Sequence, residues 1–322
     1  MKIVIPGGTG QVGAILARSL QRAGHSVVLL SRTAGSKIAP TVAWDAKTLV
    51  PWASELEGAD VVVNLAGRSV NCRYNAANRR LMMTSRVEST RAVGQAIAVA
   101  RRPPHVWLQA STATIYAHTF GAPHDEFTGV IGGGEPDAPP GWRFSIEVAR
   151  AWEQAAAEVH LPNTRTVLLR SAMVMSPDPG GIFATLLALV RGGLGGPSGD
   201  GRQFVSWIHD QDFLRAIDWL IAHDDLSGPI NLASPQPLPN RDFMHDLRAA
   251  WGTRIGLPAS RWMLELGAIA LRTETELVLK SRRVAPGRLL ASGFTFQFPA
   301  WPDAAHDLCR RWRQSAQASA AA

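Results

Sequence analysis

The sequence predicts an α/β protein in which helices cover both faces of a doubly wound parallel sheet, followed by a smaller, mixed C-terminal lobe. Two observations support this fold class. Short apolar runs alternate with helical patterns through the first half of the chain, and these runs are apolar at consecutive positions, as in strands buried on both faces. The chain is also large enough for such a core, because 46% of its 322 residues are hydrophobic.

The first half of the chain supplies the predicted sheet. The run Ile3-Val4-Ile5 is followed at once by a glycine cluster and then by a helical pattern, which begins the alternation of strands and helices. The predicted strands span residues 2–6, 26–31, 60–64, 105–111 and 165–170, and the predicted helices span residues 14–23, 76–100 and 144–159. Strands and helices that alternate in this way favour parallel pairing.

The pattern changes after Ala172. Eight of the 29 glycines lie in residues 180–201, six of them after residue 191, and glycine-rich loops of this kind tend to cover functional sites. The remaining predicted strands are 204–208 and 229–233, and the remaining predicted helices are 183–191, 210–223, 240–251 and 260–271. Because these elements lack a regular β-α-β order, they predict a separate, smaller lobe.

Composition and charge exclude several classes of protein. The net charge is +7, but the basic residues are scattered and form no arm or stripe that would follow a nucleic acid. Cys72 and Cys309 are the only cysteines, so neither a disulfide framework nor a zinc site is expected. No apolar run approaches the roughly 18 residues of a membrane helix. We therefore expect a cytoplasmic protein with a small-molecule substrate and no nucleic-acid, membrane or metal partner.

The glycine turn over residues 7–13 predicts a dinucleotide site. Gly7, Gly10 and Gly13 lie between a strand and a helix, where they permit a tight turn and close approach of a pyrophosphate to the helix N-terminus. The alternative is a turn with a purely structural role. The residues predicted to bind the cofactor here are Gly7, Thr9, Gly10, Gln11, Val12 and Gly13.

The end of the second predicted strand favours NADP over NAD. An acidic residue usually holds the adenosine ribose at this point of an NAD site, but the strand ends in Leu29-Leu30-Ser31-Arg32. Arg32 can pair with a 2′-phosphate, and Ser31 can donate a hydrogen bond to it. The alternative for Arg32 is a solvated loop residue.

Further segments join the glycine turn in a recognisable order. They are Trp44-Asp45, Asn64-Leu65-Ala66-Gly67, Ala110-Ser111-Thr112-Ala113-Thr114-Ile115-Tyr116 and Leu169-Arg170-Ser171-Ala172-Met173-Val174. With them, the sequence resembles the extended, epimerase-like branch of the short-chain dehydrogenase/reductase superfamily. The resemblance implies a Rossmann-like fold, and it implies that Asp45, Leu65, Ala66 and Gly67 also line the cofactor site.

A narrower resemblance covers nearly the whole chain. It rests on Trp152-Glu153, the glycine-rich residues 192–203, Ser206-Trp207-Ile208-His209-Asp210-Gln211-Asp212 and Arg283-Val284-Ala285-Pro286-Gly287-Arg288-Leu289-Leu290. These segments resemble a subgroup of "epimerase family" proteins that end in a domain of unknown function. The implied organisation is an NAD(P)-binding domain at 1–172, to which about 204–235 return, a substrate lobe at 173–203 and 236–314, and a flexible tail at 315–322.

The usual catalytic pair of this superfamily is missing from the sequence. No Tyr-x-x-x-Lys occurs, and the similarity puts Phe144 at the tyrosine position and Val148 at the lysine position, where neither can move a proton. By similarity, Thr112 takes the place of the hydroxyl that polarises the substrate, although it also suits a turn at a strand end. Tyr116 is the first candidate for a replacement acid or base.

Two functions remain open at this point. One is an NADP-dependent oxidoreductase or epimerase with a non-standard acid/base group, for which Glu147 and His209 are further candidates. The alternative is a non-catalytic sensor that responds to the bound nucleotide. Extended members often dimerise through the helices that correspond to 76–100 and 144–159, so the resemblance also implies a homodimer.

Overall fold

The computed structural model describes residues 1–33, 35–135, 138–260, 263 and 274–321. Its centre is a seven-stranded sheet in which every neighbouring pair is parallel, with the order β10-β6-β5-β4-β1-β2-β3. Those strands are β1 Lys2–Pro6, β2 Ser26–Ser31, β3 Thr41–Ala43, β4 Val61–Asn64, β5 Val106–Thr112, β6 Arg165–Ser171 and β10 Gly228–Leu232. The predicted doubly wound fold class is confirmed.

Helices and short strands complete the described structure. The helices are α1 Gln11–Arg22, α2 Ala76–Val99, α3 Pro140–Ala157, α4 Ile182–Arg191, α5 Asp210–Ala222, α6 Asn240–Trp251, α7 Glu276–Leu279, α8 Gly287–Ala291 and α9 Trp301–Ala321. The short strands β7 Met173–Met175 and β9 Trp207–His209 pair in parallel, and β8 Phe204–Val205 pairs antiparallel with β11 Leu238–Pro239. Within the described residues, no helix is long and apolar enough to cross a membrane.

The sheet is buried on both faces, as the continuous apolar runs predict. Ile3 and Ile5 pack on one face with α1 and α5, whereas Val4 packs on the other face with α2. A second apolar cluster joins α4, α6 and α9, and Trp207 and Trp301 meet there with ring centroids 4.9 Å apart. This second cluster is the core of the smaller lobe.

Several element boundaries differ from the sequence predictions. Helix α1 begins at Gln11, within the glycine turn of residues 7–13, instead of at residue 14. The strand predicted over 204–208 is two strands, because Ser206 turns inward and its hydroxyl donates to the backbone oxygen of Arg282. Strand β3 was not predicted, since a run of three residues, two half-buried and one exposed, gives no buried apolar signal.

Two other predictions concern the end of the chain. The helix predicted over 260–271 lies almost entirely outside the described residues. Helix α9 continues through residue 321, so the segment predicted as a tail is helical up to that point. Residues 315–318 are exposed, and the flexibility of 315–322 stays a prediction.

Candidate functional site

The glycines of the turn fall into two groups by what surrounds them. A Cβ on Gly7 would lie 2.7 Å from the Cα of Ala66, and a Cβ on Gly13 would lie 2.5 Å from the Cα of Gly8. Gly7 also has a positive φ of 75°, which favours glycine. A Cβ on Gly10, in contrast, would meet only the backbone oxygen of Gly7, at 3.7 Å. Packing within the protein therefore explains Gly7 and Gly13, but it does not explain Gly10.

The N-terminus of α1 has the features of an anion site. Its N-cap is Gly10, which offers no side chain to the free N–H groups, and the first turn carries no acidic residue. Thr9 and Gly10 are exposed. The Gln11 side chain binds a different part of the protein, because its Nε2 donates to the backbone oxygen of Asp178 at 3.1 Å. Val12 packs against the core of the sheet. The turn therefore fits a pyrophosphate, as the sequence predicts.

The end of β2 lies beside the glycine turn. The hydroxyls of Ser31 and Thr9 are 3.2 Å apart, so the two predicted cofactor residues share one surface. Ser31 is 5% exposed, and its Oγ accepts a hydrogen bond from the backbone N–H of Thr33. Arg32 is exposed, and no hydrogen bond or ion pair joins it to another residue in the described ranges. Its guanidinium is therefore available for a phosphate.

The other predicted cofactor residues surround the same turn. Ala66 is buried against Gly7, and its N–H donates to the side chain of Asn64 at 3.1 Å. Leu65 is half-buried at the edge of the core, and Gly67 is exposed. Asp45 is exposed, but its carboxylate accepts three hydrogen bonds from Lys47 and Thr48, which lower its pKa. The Asp45 carboxylate thus stabilises the local turn that contains Lys47 and Thr48.

A cavity of about 110 Å³ lies at the carboxyl end of β5, and we call it the Thr112 cavity. It is lined by Val70, Tyr74, Met82, Arg86, Thr112, Thr114, Phe144, Ser145, Val148, Trp152 and Arg282. Within the described residues, this wall contains two arginines and no carboxylate. Ligands of doubly wound sheets bind beyond the carboxyl ends of the strands, so this is where a substrate is expected.

The Thr112 cavity adjoins the cofactor residues. A Cβ on Gly67 would lie 3.3 Å from the Cγ of Arg86, which belongs to the cavity wall. The Thr112 hydroxyl oxygen accepts a hydrogen bond from the N–H of Thr114 at 3.2 Å. No acceptor within the described chain takes the Thr112 proton, so this hydroxyl can donate into the cavity.

Phe144 and Val148 form an apolar wall at the positions that the similarity assigns to the usual catalytic tyrosine and lysine. Both are at most 9% exposed, and they pack with Met82. Tyr74 reaches the same wall from the loop before α2, and its ring meets that of Phe144 edge to face at 5.6 Å. The structure therefore brings a tyrosine side chain to the cavity wall from a different part of the chain.

The electrostatic surroundings of Tyr74 keep its hydroxyl neutral. Burial raises the pKa of Tyr74 to about 12, with a further increase from the charge of Glu276, while hydrogen bonding with Ser145 and the charge of Arg282 oppose the shift. Ser145 in turn donates to Glu276 Oε2 at 2.7 Å. Burial also raises the pKa of Glu276. Ser145 and Glu276 thus form a hydrogen-bonded pair, and both residues act on the pKa of Tyr74.

Tyr116 lies away from the cavity, in contrast to the prediction that it acts beside Thr112. It is 2% exposed, and its hydroxyl donates to Asn231 Oδ1 and accepts from Arg170 Nη1, each at 3.0 Å. Arg170 is paired with Glu153, and the Ser111 hydroxyl also donates to Glu153. The physical reason is a buried polar network that uses both hydrogen-bonding capacities of the Tyr116 hydroxyl.

The remaining candidates are also separate from the cavity. Glu147 is exposed on α3. His209 is fully buried, where its Nε2 lies 3.1 Å from Asp307 Oδ2 of α9. The glycine-rich residues 192–203 pack within the smaller lobe: a Cβ on Gly196 would lie 2.5 Å from the backbone of Leu257, and none of the described loop residues lines the cavity.

Sequence reasoning missed Tyr74 and Arg86. Tyr74 belongs to no Tyr-x-x-x-Lys motif, since Asn78 lies four residues later, and Arg86 stands within a long helical pattern without a motif. A weak signal was available for Arg86, since it is an arginine on the helix face that otherwise carries Met82, Thr90 and Val93 into the core. Their convergence on Thr112 depends on long-range packing.

Fold and site together define an extended short-chain dehydrogenase/reductase with a glycine turn between β1 and α1. Residues 3–233 match the model of the NAD dependent epimerase/dehydratase family, and residues 259–308 match a domain of unknown function, DUF1731. The chain therefore belongs to the NAD dependent epimerase/dehydratase family.

Relatives and solved structures agree with this assignment. The epimerase family protein SDR39U1 of Homo sapiens is 32% identical over 303 residues, which cover 93% of this chain and 96% of that protein. The crystal structure of human SDR39U1 (isoform 2) with NADPH has a TM-score of 0.83 at 30% identity, covering 96% of this chain and 99% of that one. A nucleoside-diphosphate sugar epimerase from Corynebacterium glutamicum has a TM-score of 0.73 at 29% identity, covering 96% of this chain and 58% of that one.

Proposed function

We propose that this protein is an NADP(H)-dependent oxidoreductase that acts on a small carbonyl compound, or the corresponding alcohol, in the Thr112 cavity. The observation that carries the proposal is the position of this cavity, which adjoins Gly67 and has Thr112 and Tyr74 in its wall. The crystallisation of human SDR39U1 with NADPH supports the choice of cofactor. The exposed Arg32 supports the same choice.

The glycine turn would hold the pyrophosphate, and Ser31 with Arg32 would hold the 2′-phosphate. The reduced cofactor supplies a hydride when bound, and reduction of a carbonyl group to an alcohol then needs one proton at the oxygen. Thr112 donates a hydrogen bond to that oxygen and orients it. Tyr74 is the side chain in the cavity wall that can transfer the proton.

Tyr74 replaces the missing pair by a different arrangement. A tyrosine with a pKa of about 12 is protonated near neutral pH, and it can therefore act as the acid toward a developing alkoxide. Arg282 opposes the rise in its pKa, as a lysine does in the usual pair.

The test uses small aldehydes, ketones, oxo acids and nucleotide sugars as candidate substrates under anaerobic conditions. Oxidation of NADPH is measured as the loss of absorbance of the reduced nicotinamide. We expect at least one small carbonyl compound to be reduced with one NADPH consumed per alcohol formed. Tight NADPH binding with no oxidation by any compound in the panel would favour the sensor instead. The homodimer through α2 and α3 stays a prediction for size-exclusion chromatography with light scattering.

A further inference from the structure

Arg86 is a buried arginine that lacks a carboxylate partner. It is 8% exposed, and within the described chain its one hydrogen bond runs from Nη1 to the backbone oxygen of Met82 at 3.1 Å. A guanidinium has five N–H donors, so most of its donors are unused. Burial lowers the pKa of Arg86 to about 10, and only the Tyr74 hydroxyl and the Cys72 thiol act against this shift.

Arg170 is the matched comparison, because it is also 8% exposed. Its guanidinium forms a bidentate pair with Glu153, with both hydrogen bonds at 2.8 Å, and it also donates to Tyr116. A buried charge is costly unless it is paired and hydrogen-bonded. Arg170 satisfies this rule within the protein, whereas Arg86 satisfies it only if a ligand supplies the negative charge.

The position of Arg86 directs its unused donors to the Thr112 cavity. Its guanidinium carbon lies 4.9 Å from the centre of the Trp152 ring, and its Cγ packs beside Gly67. These contacts hold the planar fork in place, and Arg86 is part of the cavity wall. A fixed guanidinium fork matches the two oxygens of a carboxylate.

The cavity also has room for a small ligand. Its volume of about 110 Å³ holds several water molecules, at roughly 10–15 Å³ of such space per water, and therefore suits a small organic molecule. Resting on the proposed function, we infer that the substrate is a small oxo acid or hydroxy acid. Its carboxylate pairs with Arg86, while the reacting oxygen meets the hydroxyls of Thr112 and Tyr74.

The test measures binding apart from catalysis. Wild-type protein saturated with NADP⁺ is titrated by calorimetry with pyruvate and 2-oxobutanoate, and with the neutral analogues acetone and butanone. We expect the oxo acids to bind at least about tenfold more tightly than the neutral ketones, as a charge-assisted bidentate pair requires. Equal affinities, or no binding of either oxo acid, would overturn the inference.

Two substitutions of Arg86 and one control variant show whether Arg86 causes the preference for oxo acids. Arg86→Met should lose about tenfold or more of the oxo-acid affinity, whereas Arg80→Met, which removes the same charge from an exposed site on α2, should lose none. Arg86→Lys should retain part of the oxo-acid affinity. If the Met variant does not fold, the affinity of the Lys variant tests the role of Arg86. Unchanged oxo-acid affinity in the folded Met or Lys variant would refute the role of Arg86.

The phosphates of the cofactor are the other source of negative charge near Gly67. If Arg86→Met weakens NADP⁺ binding but leaves the preference for oxo acids intact, Arg86 serves the cofactor and the inference is wrong. Selective oxo-acid binding without NADPH oxidation would instead support the anion site and count against the proposed reduction. The two proposals can therefore fail separately.

Discussion

At the scale of single residues, Gly10 separates the binding role of the glycine turn from its structural role. Gly10→Val should abolish NADPH binding, because the added side chain enters the space that the pyrophosphate needs, while nothing inside the protein closer than 3.7 Å opposes its Cβ. The thermal midpoint should stay close to that of the wild type. Calorimetry and thermal unfolding measure the two effects on the same samples.

Gly13→Val is the matched control for Gly10→Val. Its Cβ would lie 2.5 Å from the Cα of Gly8, so this variant should unfold at a clearly lower temperature. If Gly10→Val binds NADPH normally with an unchanged midpoint, the turn has only a structural role.

Arg32 is expected to set the preference between the two nicotinamide cofactors. Charge-assisted hydrogen bonds contribute roughly 1.5–3 kcal/mol, so Arg32→Ala should narrow the preference for NADPH over NADH by about tenfold or more. Calorimetric titration of both cofactors measures the ratio, and Arg22→Ala, at the far end of α1, is the control. A ratio that does not change would leave Arg32 as a solvated loop residue.

Tyr74 and Tyr116 should respond differently to the loss of one hydroxyl. Tyr74→Phe should slow carbonyl reduction by roughly 10²–10⁴-fold, since it removes the positioned acid while keeping the ring. Tyr116→Phe should mainly lower stability, by about 1–3 kcal/mol, because Arg170 and Asn231 lose a buried partner. Single-turnover rates and denaturant unfolding separate the two effects. If Tyr116→Phe slows carbonyl reduction and Tyr74→Phe does not, Tyr116 is the acid, as the sequence predicts.

At the scale of elements, the segment after α7 connects the smaller lobe to the end of β5. Lys280 Nζ donates to the backbone oxygen of Thr114 at 3.1 Å, and Arg282 Nε donates to the Thr114 hydroxyl at 3.1 Å. The Thr112 cavity therefore depends on both parts of the molecule, because Arg282 also lines it. This contact explains why the cavity could not be placed from either half of the sequence alone.

Lys280 gives that connection a pH dependence. Burial, then the charge of Arg282, lower its pKa from 10.5 to about 8, against the opposing charges of Glu276 and Glu135. Between about pH 8 and 10.5 the unfolded chain thus binds more protons than the folded chain, and the free energy of unfolding rises with pH, by at most about 1.4 kcal/mol per unit. Below about pH 8 this contribution is constant.

Lys280→Met should remove this rise, and denaturant unfolding across the same pH range measures it. Lys37→Met, at an exposed lysine, should keep the wild-type slope. Parallel pH profiles for wild type and Lys280→Met would show that Lys280 keeps its ordinary pKa in the folded protein.

At the scale of the whole molecule, the sheet was predictable because its signals are local. Residues such as Val61 to Val63 are fully buried in a continuous apolar run. The glycine spacing that predicts the turn is likewise contained in seven consecutive residues. The cavity was not predictable, because Tyr74, Arg86 and Arg282 reach Thr112 from distant parts of the chain. The hydrogen bonds of Tyr116 were not predictable for a related reason: its distance from Thr112 in sequence does not reveal the contacts of its hydroxyl with Arg170 and Asn231.

The central claim is that the glycine turn and the end of β2 together form an NADP(H) site. Calorimetric titration of the wild-type chain with NADPH and with NADH tests it most directly, since no knowledge of the substrate is needed. We predict one NADPH per chain and distinctly weaker binding of NADH, because Arg32 is available for the 2′-phosphate and no carboxylate stands at the strand end to hold a free ribose. Equal affinities for the two cofactors, or no binding of either, would contradict the account.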